Sequence, residues 1–195
     1  SAHTGRTPSL LDATCEDFVY DLVALSPTLG SRIGIEGHDH ELQDFSPAYW
    51  EDLANRIRDL LADAGMSTYP VTSGGKGIHV YARFDRPVTP DSARTVAREI
   101  ASTLAAAHPK TITATMSKSE RAGRVFIDWS QNSASKTTLA PYSMRGREEP
   151  WVAAPRTWDE LAGPGLTQLH FGEVLERAAD GDLLDGLDDP YAPDA

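Results

Sequence analysis

Apolar positions along this chain switch between a helical period and a period of two, and the order of the switches predicts an α+β fold. Over residues 10–25, Leu11, Cys15, Phe18, Val19, Leu22 and Val23 recur at helical spacing, and the run stops before Pro27. Residues 32–37 (RIGIEG) alternate, with Ile33 and Ile35 on one face. A polar stretch, HDHELQD, reads as a loop. Ser46-Pro47 then starts a helix, an N-cap followed by proline at the first helical position. Trp50, Leu53, Ile57, Leu60 and Leu61 make one stripe that Gly65 ends. Residues 68–72 form a second strand, SGGKG a tight turn, and Ile78–Arg83 a third strand in which Ile78 and Val80 alternate with His79 and Tyr81. Thr89-Pro90 opens another helix with Val96, Ile100 and Leu104 inward. In residues 124–129, Val125, Ile127 and Trp129 point one way and Phe126 and Asp128 the other. Residues 138–144 are a candidate further strand. The remainder reads as irregular, with a short helix near 171–179.

The order from residue 32 to 129 is β-α-β-β-α-β, the ferredoxin-like or RRM-like unit. We therefore expect an RRM-like core over residues 31–165, an N-terminal helical lead-in over 1–30 and an acidic C-terminal extension over 166–195. In this unit both helices cover one face of the sheet. Parity then puts Ile33/Ile35, Ile78/Val80 and Val125/Ile127 under the helices, and Glu36, His38, His79 and Asp128 on the other face.

Composition narrows the class. The net charge is −11, yet residues 118–147 hold six Lys/Arg against Glu120 and Asp128, which leaves −15 for the rest. Cations gathered in one segment of an acidic chain point to a local polyanion site, and the acidic balance argues against nonspecific binding of long duplex DNA. One cysteine, Cys15, excludes an internal disulfide or a CxxC zinc site. No apolar run is long enough to span a membrane and no signal peptide is evident, which fits a cytoplasmic protein with no membrane partner. The tail over 173–194, with eight acids against Arg177, reads as solvated and partly disordered.

Three features carry candidate chemistry. Asp128 is a carboxylate inside the basic window at the end of a central strand, as a divalent-metal and phosphate site requires. SGGKG brings backbone N–H groups and Lys76 near His79, suited to phosphate oxygens but also common in plain hairpins. Glu36, His38, Asp39, His40 and Glu41 form a dense set of ligand types suited to Mn²⁺ or Zn²⁺, or equally a polar loop.

Residues 57–177 closely resemble the polymerase domain of bacterial end-joining ATP-dependent DNA ligases (ligase D), of the archaeo-eukaryotic primase superfamily. The match rests on RDLLADAG, YPVTSGGKGIHVY, TMSKSERAGRVFIDWSQNSASKTTLAPYSMRGR and VAAPRTWDEL. The resemblance implies an RRM-like catalytic half that adds nucleotides to a DNA 3′ end with two divalent metals, Mn²⁺ or Mg²⁺, and a nucleoside triphosphate. It makes Asp128 the third metal carboxylate. Ser73, Lys76 and His79 become the motif that holds the triphosphate. Lys118, Arg121, Gln131, Lys136 and Arg145 become a basic segment facing nucleotide and primer, with Arg145 the foremost phosphate contact.

Two departures stand out. The family's first motif is Asp-x-Asp-Pro, whereas this strand reads RIGIEGHDHE, so Glu36 and His38 take the two metal positions, or Asp39 and Glu41 in a shifted register. The family's N-terminal module has no counterpart in the thirty residues before the strand. Three readings result: a weak DNA-repair nucleotidyl transferase, a degenerate nucleotide- or protein-binding paralogue beside a Ku- or ligase-type repair partner, and, more remotely, a metal-dependent phosphoesterase or nuclease.

Overall fold

The computed structural model describes residues 31–36, 47–75, 77–136, 139–146, 149–163 and 166–189, and, for 31–36 and 47–51, the backbone alone. The helix expected over 10–25 and the ligand cluster at 38–41 lie outside the described residues, as do Lys76 and Thr138.

Among the described residues, seven strands form one sheet: β1 (Ser31–Glu36), β2 (Ser67–Ser73), β3 (Ile78–Arg83), β4 (Ile112–Thr113), β5 (Val125–Asp128), β6 (Trp151–Pro155) and β7 (Leu169–His170). Their order is β4-β5-β1-β3-β2-β6-β7. Only β4 and β5 run parallel; every other pair is antiparallel. The middle four, β5-β1-β3-β2, reproduce the ferredoxin-like arrangement expected from the pattern.

Two long helices cover one face. α1 (Pro47–Asp63) turns Leu53, Ala54, Ile57 and Leu61 inward. It ends where Gly65 takes φ +76 and Met66 N–H returns to the Leu61 carbonyl at 2.9 Å, a C-cap that glycine adopts without Cβ strain. α2 (Pro90–Ala107) begins at Thr89, whose side chain accepts from the Ser92 N–H, and buries Val96, Ala97, Ile100, Ala101 and Leu104. Against them pack Ile78, Val80, Val125 and Ile127, the four described members of the expected inward set. The register pairs Ile33 with Val80 and Ile35 with both Ile78 and Ile127. Each fully buried Ile, Leu or Val contributes about 1.5–3 kcal/mol of burial energy, so this shared face fixes strand parity firmly.

The C-terminal third departs from expectation. Residues 138–144 were expected as a strand, but among those described only an isolated bridge from Met144 to Val152 forms. The strand in this region is β6, which adds to the β2 edge. Its run of Val-Ala-Ala-Pro lacks alternation because both sides are buried, so period-two reading passes over it. Two short helices follow, α3 (Trp158–Ala162) and α4 (Phe171–Ala178), the latter close to the expected 171–179.

Over its described part the acidic tail exposes its acids, as expected, but is anchored to the sheet by its apolar residues. Leu187 is buried against Val71, Tyr81 and Ala153, with Tyr69, Leu139 and Leu184 alongside, so residues 180–189 form a strap over the far half of the second sheet face. The Tyr142 hydroxyl donates to the Asp182 carboxylate, and Arg83 donates to the Asp189 carbonyl at 3.2 Å. Burial and this bond to Asp182 push the Tyr142 hydroxyl up to about 12. Gly186 takes φ +87 directly over Tyr69; a Cβ there would sit 3.0 Å from the phenolic oxygen. Replacing Leu187 with Ala leaves a void under the strap. We expect a loss of about 2 kcal/mol in urea denaturation together with new cleavage within 180–189 on limited proteolysis; an unchanged midpoint and digest would show that the strap contributes no stability.

Candidate active site

Parity delivers Asp128 and His79 to the face opposite the long helices, and the register places them in one row. Asp128 on β5 pairs with Gly34 on β1, and Gly34 pairs with His79 on β3. Two strand spacings put the Asp128 and His79 Cα atoms about 10 Å apart. The residue between them is glycine, so the row has a floor of bare backbone flanked by a carboxylate and an imidazole. Both flanking residues are buried, Asp128 at 5% exposure and His79 at 0%. Glu36 pairs with Phe126, one step nearer the end of the sheet where the β2–β3 turn lies.

Asp128 is braced by the chain that follows it. The strand ends there and turns into a 3₁₀ helix over Trp129–Asn132, for which Asp128 is the N-cap. Its Oδ1 accepts from the Ser130 N–H at 3.0 Å and the Ser130 hydroxyl at 2.7 Å, and its Oδ2 accepts from Gln131 Nε2 at 2.7 Å. Lys136 donates to the Ser130 hydroxyl. Asp128, Gln131 and Lys136, singled out by the sequence, therefore meet in one cluster. Ser130 was missed, although a serine two residues after an aspartate at a strand end is a signal for a local side-chain turn.

The β2–β3 turn is a second cluster. The Ser73 hydroxyl accepts from the Gly75 and Gly77 N–H groups at 3.2 and 3.1 Å, and Ser73 N–H bonds the Gly77 carbonyl at 2.9 Å. Arg145 Nε donates to the Ser73 carbonyl at 2.7 Å. The turn is so close to β6 that a Cβ on Gly74, at φ +64, would stand 2.9 Å from the Val152 carbonyl carbon and 3.1 Å from Arg145 Cγ. Ser73 and Arg145, 72 residues apart, are thus one unit. Arg145 is carried by residues 142–145, which hydrogen-bond to β6 through Tyr142 N–H to the Ala153 carbonyl and Arg145 N–H to the Trp151 carbonyl.

The remaining cations divide. The Arg121 guanidinium lies 3.4 Å from the Phe126 ring centroid and donates to the Thr115 and Met116 carbonyls at 3.2 and 2.6 Å, so much of its capacity holds its own loop. Arg124 donates to the Glu120 carbonyl. Lys118 is exposed at the start of a 3₁₀ turn over Lys118–Glu120.

The donor set suits a hard divalent cation in one respect: Asp128 offers a held carboxylate amid hydroxyl and amide groups. Among the described residues no three His, Cys, Asp or Glu side chains gather as a metal cluster. Glu36 is described by its backbone alone, and His38, Asp39 and Glu41 lie outside the described residues.

A separate polar network secures the β6 end. Arg156, 6% exposed, donates to Thr72 Oγ1 at 3.3 Å, to Glu160 Oε1 at 3.1 Å and to the Thr167 carbonyl. Arg177 reaches the same Glu160 oxygen at 2.6 Å. Burial alone would raise the Glu160 carboxyl, but the Thr157 amide and the two guanidinium groups hold it below the usual range. Glu160 and Arg177 also line a cavity of about 480 Å³ with Tyr142, Leu169 and Asp182. None of the sequence-predicted site residues lines it.

Comparison with known proteins agrees with this fold. The family model described as LigD, primase-polymerase domain, matches residues 43–184. The chain is 58% identical over 138 residues to the multifunctional non-homologous end joining protein LigD of Mycobacterium bovis, covering 70% of this chain and 18% of that protein. It is 34% identical over 134 residues to LigD of Pseudomonas aeruginosa, covering 68% of this chain and 16% of that protein. The chain therefore spans less than a fifth of the length of these curated relatives. The solved polymerase domain from Mycobacterium tuberculosis ligase D in complex with DNA superposes with a TM-score of 0.77 at 50% identity, over 84% of this chain and 56% of that one.

Two expectations test these clusters. Gly74→Ala forces the turn away from β6 and is expected to destabilise by about 1–3 kcal/mol, read as a lowered thermal midpoint. Glu160 has a depressed carboxyl, so its contribution is fully present above the ordinary glutamate range, about 4.3, and is lost as pH falls through the lower folded value. The stability gap between wild type and Glu160→Gln, measured by urea denaturation, is expected to be widest near neutrality and to shrink as pH falls from 6 to 3. A pH-independent gap would exclude this linkage.

Proposed function

The chain belongs to the LigD primase-polymerase domain family, and from that premise we propose that it adds nucleotides to a DNA 3′ end in end-joining repair, using a nucleoside triphosphate and Mn²⁺ or Mg²⁺. The observation that carries the reading is the row formed by Asp128, the bare Gly34 and His79, set beside the Ser73–Arg145 unit. Asp128, with Glu36 and His38, or with Asp39 and Glu41 in the shifted register, would hold the cation. When bound, the cation supplies charge neutralisation for the phosphates and activation of the attacking hydroxyl.

The chain's own groups have distinct tasks. Ser73 already accepts two backbone N–H bonds, which leaves its hydroxyl proton for a further acceptor such as a phosphate or sugar oxygen. Arg145 gives Nε to the Ser73 carbonyl, and among the described residues its two terminal NH₂ groups remain for phosphate oxygens. Lys76 and His79 complete the triphosphate side, and Lys136, Gln131 and Arg121 border the carboxylate side. Glycine at position 34 puts no side chain between His79 and Asp128. Exchanging the family's second aspartate for His38 removes one negative charge beside the cations, and we expect a rate lower by about 10²-fold, as weakened metal shells show. DNA as partner, Ku- or ligase-type repair proteins beside it, and a cytoplasmic location belong to this proposal; among the described residues, no helix is long and apolar enough to cross a membrane.

A second reading, a degenerate nucleotide-binding paralogue, is favoured by the sequence Glu36-Gly37-His38 where the family has Asp-x-Asp. One assay separates them: purified protein, a primer-template with a short gap, Mn²⁺ and labelled NTP. Extension that Asp128→Ala abolishes supports transfer. ATP or GTP binding with no extension by the wild type selects the second reading, and primer shortening would point to a nuclease.

A further inference from the structure

The chemistry of the donors around Asp128 assigns a role to a residue outside the expected site. A lysine ammonium has only donors and an ionised carboxylate only acceptors. The Ser130 hydroxyl lies between the two, taking a bond from Lys136 and standing 2.7 Å from Asp128 Oδ1. Its proton therefore has one direction, toward Asp128, and the three groups form a polarised chain of charge-assisted bonds from cation to carboxylate. The Ser130 N–H adds a second bond to the same oxygen at 3.0 Å. Oδ1 is thus committed to the rigid turn that follows β5. Oδ2 is held differently, by the single amide of Gln131, a side chain with three rotatable bonds that can leave without disturbing the backbone.

We infer that Ser130 is a positioning residue: relaying Lys136, it locks Asp128 Oδ1 so that Oδ2 is the oxygen offered to a divalent cation, with the Gln131 amide as the group displaced. This rests on the reading of Asp128 as a metal carboxylate. All three bonds to Asp128 come from residues within three positions of it, so the asymmetry is built locally. It also gives the basic window a task other than phosphate contact, because Lys136 reaches Asp128 through one hydroxyl.

The test is Mn²⁺ binding to the whole protein without nucleotide or DNA, followed by the loss of the free-ion signal in electron paramagnetic resonance. Four proteins are compared: wild type, Asp128→Ala, Ser130→Ala and Ser130→Thr, each checked for an unchanged thermal midpoint. We expect Ser130→Ala to weaken Mn²⁺ binding about tenfold and Ser130→Thr, which keeps the hydroxyl, to restore it. In extension assays Ser130→Ala should lower kcat while leaving KM for the nucleotide unchanged. Should Ser130→Ala fail to fold, Lys136→Met tests the same chain from the exposed side, with a weakening of the same sign expected. Equal binding by wild type and Ser130→Ala, with Asp128→Ala impaired, overturns the inference alone. Equal binding by wild type and Asp128→Ala overturns the metal reading and this inference with it.

Discussion

A β-strand has two faces, and only one of them can lie under α1 and α2. That constraint organises everything else in the described fold. Ile78, Val80, Val125 and Ile127 are claimed by the helices, so the residues between them have no choice of side. Slipping β5 by one position would bury the Asp128 carboxylate under apolar helices and expose Val125 and Ile127. The energy that holds the site in place is therefore hydrophobic, and it is spent on the face away from the polar groups.

The polar side is maintained by short-range bonds. Asp128 is nearly inaccessible, yet three donors from the next three residues satisfy it. Ser73 closes its own turn in the same manner. The long-range contact is Arg145, which ties that turn to the segment lying on β6. Local turns set the orientation of each group, and one guanidinium sets the distance between two parts of the chain that are far apart in sequence.

Much of this was legible beforehand, for a physical reason. The long helices and the four central strands carry strong periodic patterns with cap and turn residues at their ends, as at Thr89-Pro90 and Gly65. Face assignment followed from parity, which is why Asp128 and His79 could be placed together without coordinates. β6 was not legible, because a strand buried on both sides loses its alternation. Nor was the docking of 180–189, since its few leucines sit among aspartates and composition alone reads as solvated chain. Ser130 escaped because its role depends on what lies on either side of its hydroxyl. Gly34 was read only as one position of a strand; that it puts no side chain between His79 and Asp128 appears once the register is known.

The strap over the sheet has a further effect on traffic. Leu184 and Leu187 pack with Tyr69, Tyr81 and Val71 of the sheet, while all five of its aspartates, Asp180, Asp182, Asp185, Asp188 and Asp189, are solvent-exposed. The roof over β2, β3 and β6 is therefore negative, while Arg121 and Lys136 lie by β5 and Arg145 by the β2–β3 turn. A phosphate-rich molecule drifting toward the protein is repelled on one flank and drawn on the other, so the field itself sets the heading of its approach. Added salt, by shortening the reach of both charges, would leave the roof in place and erase the compass.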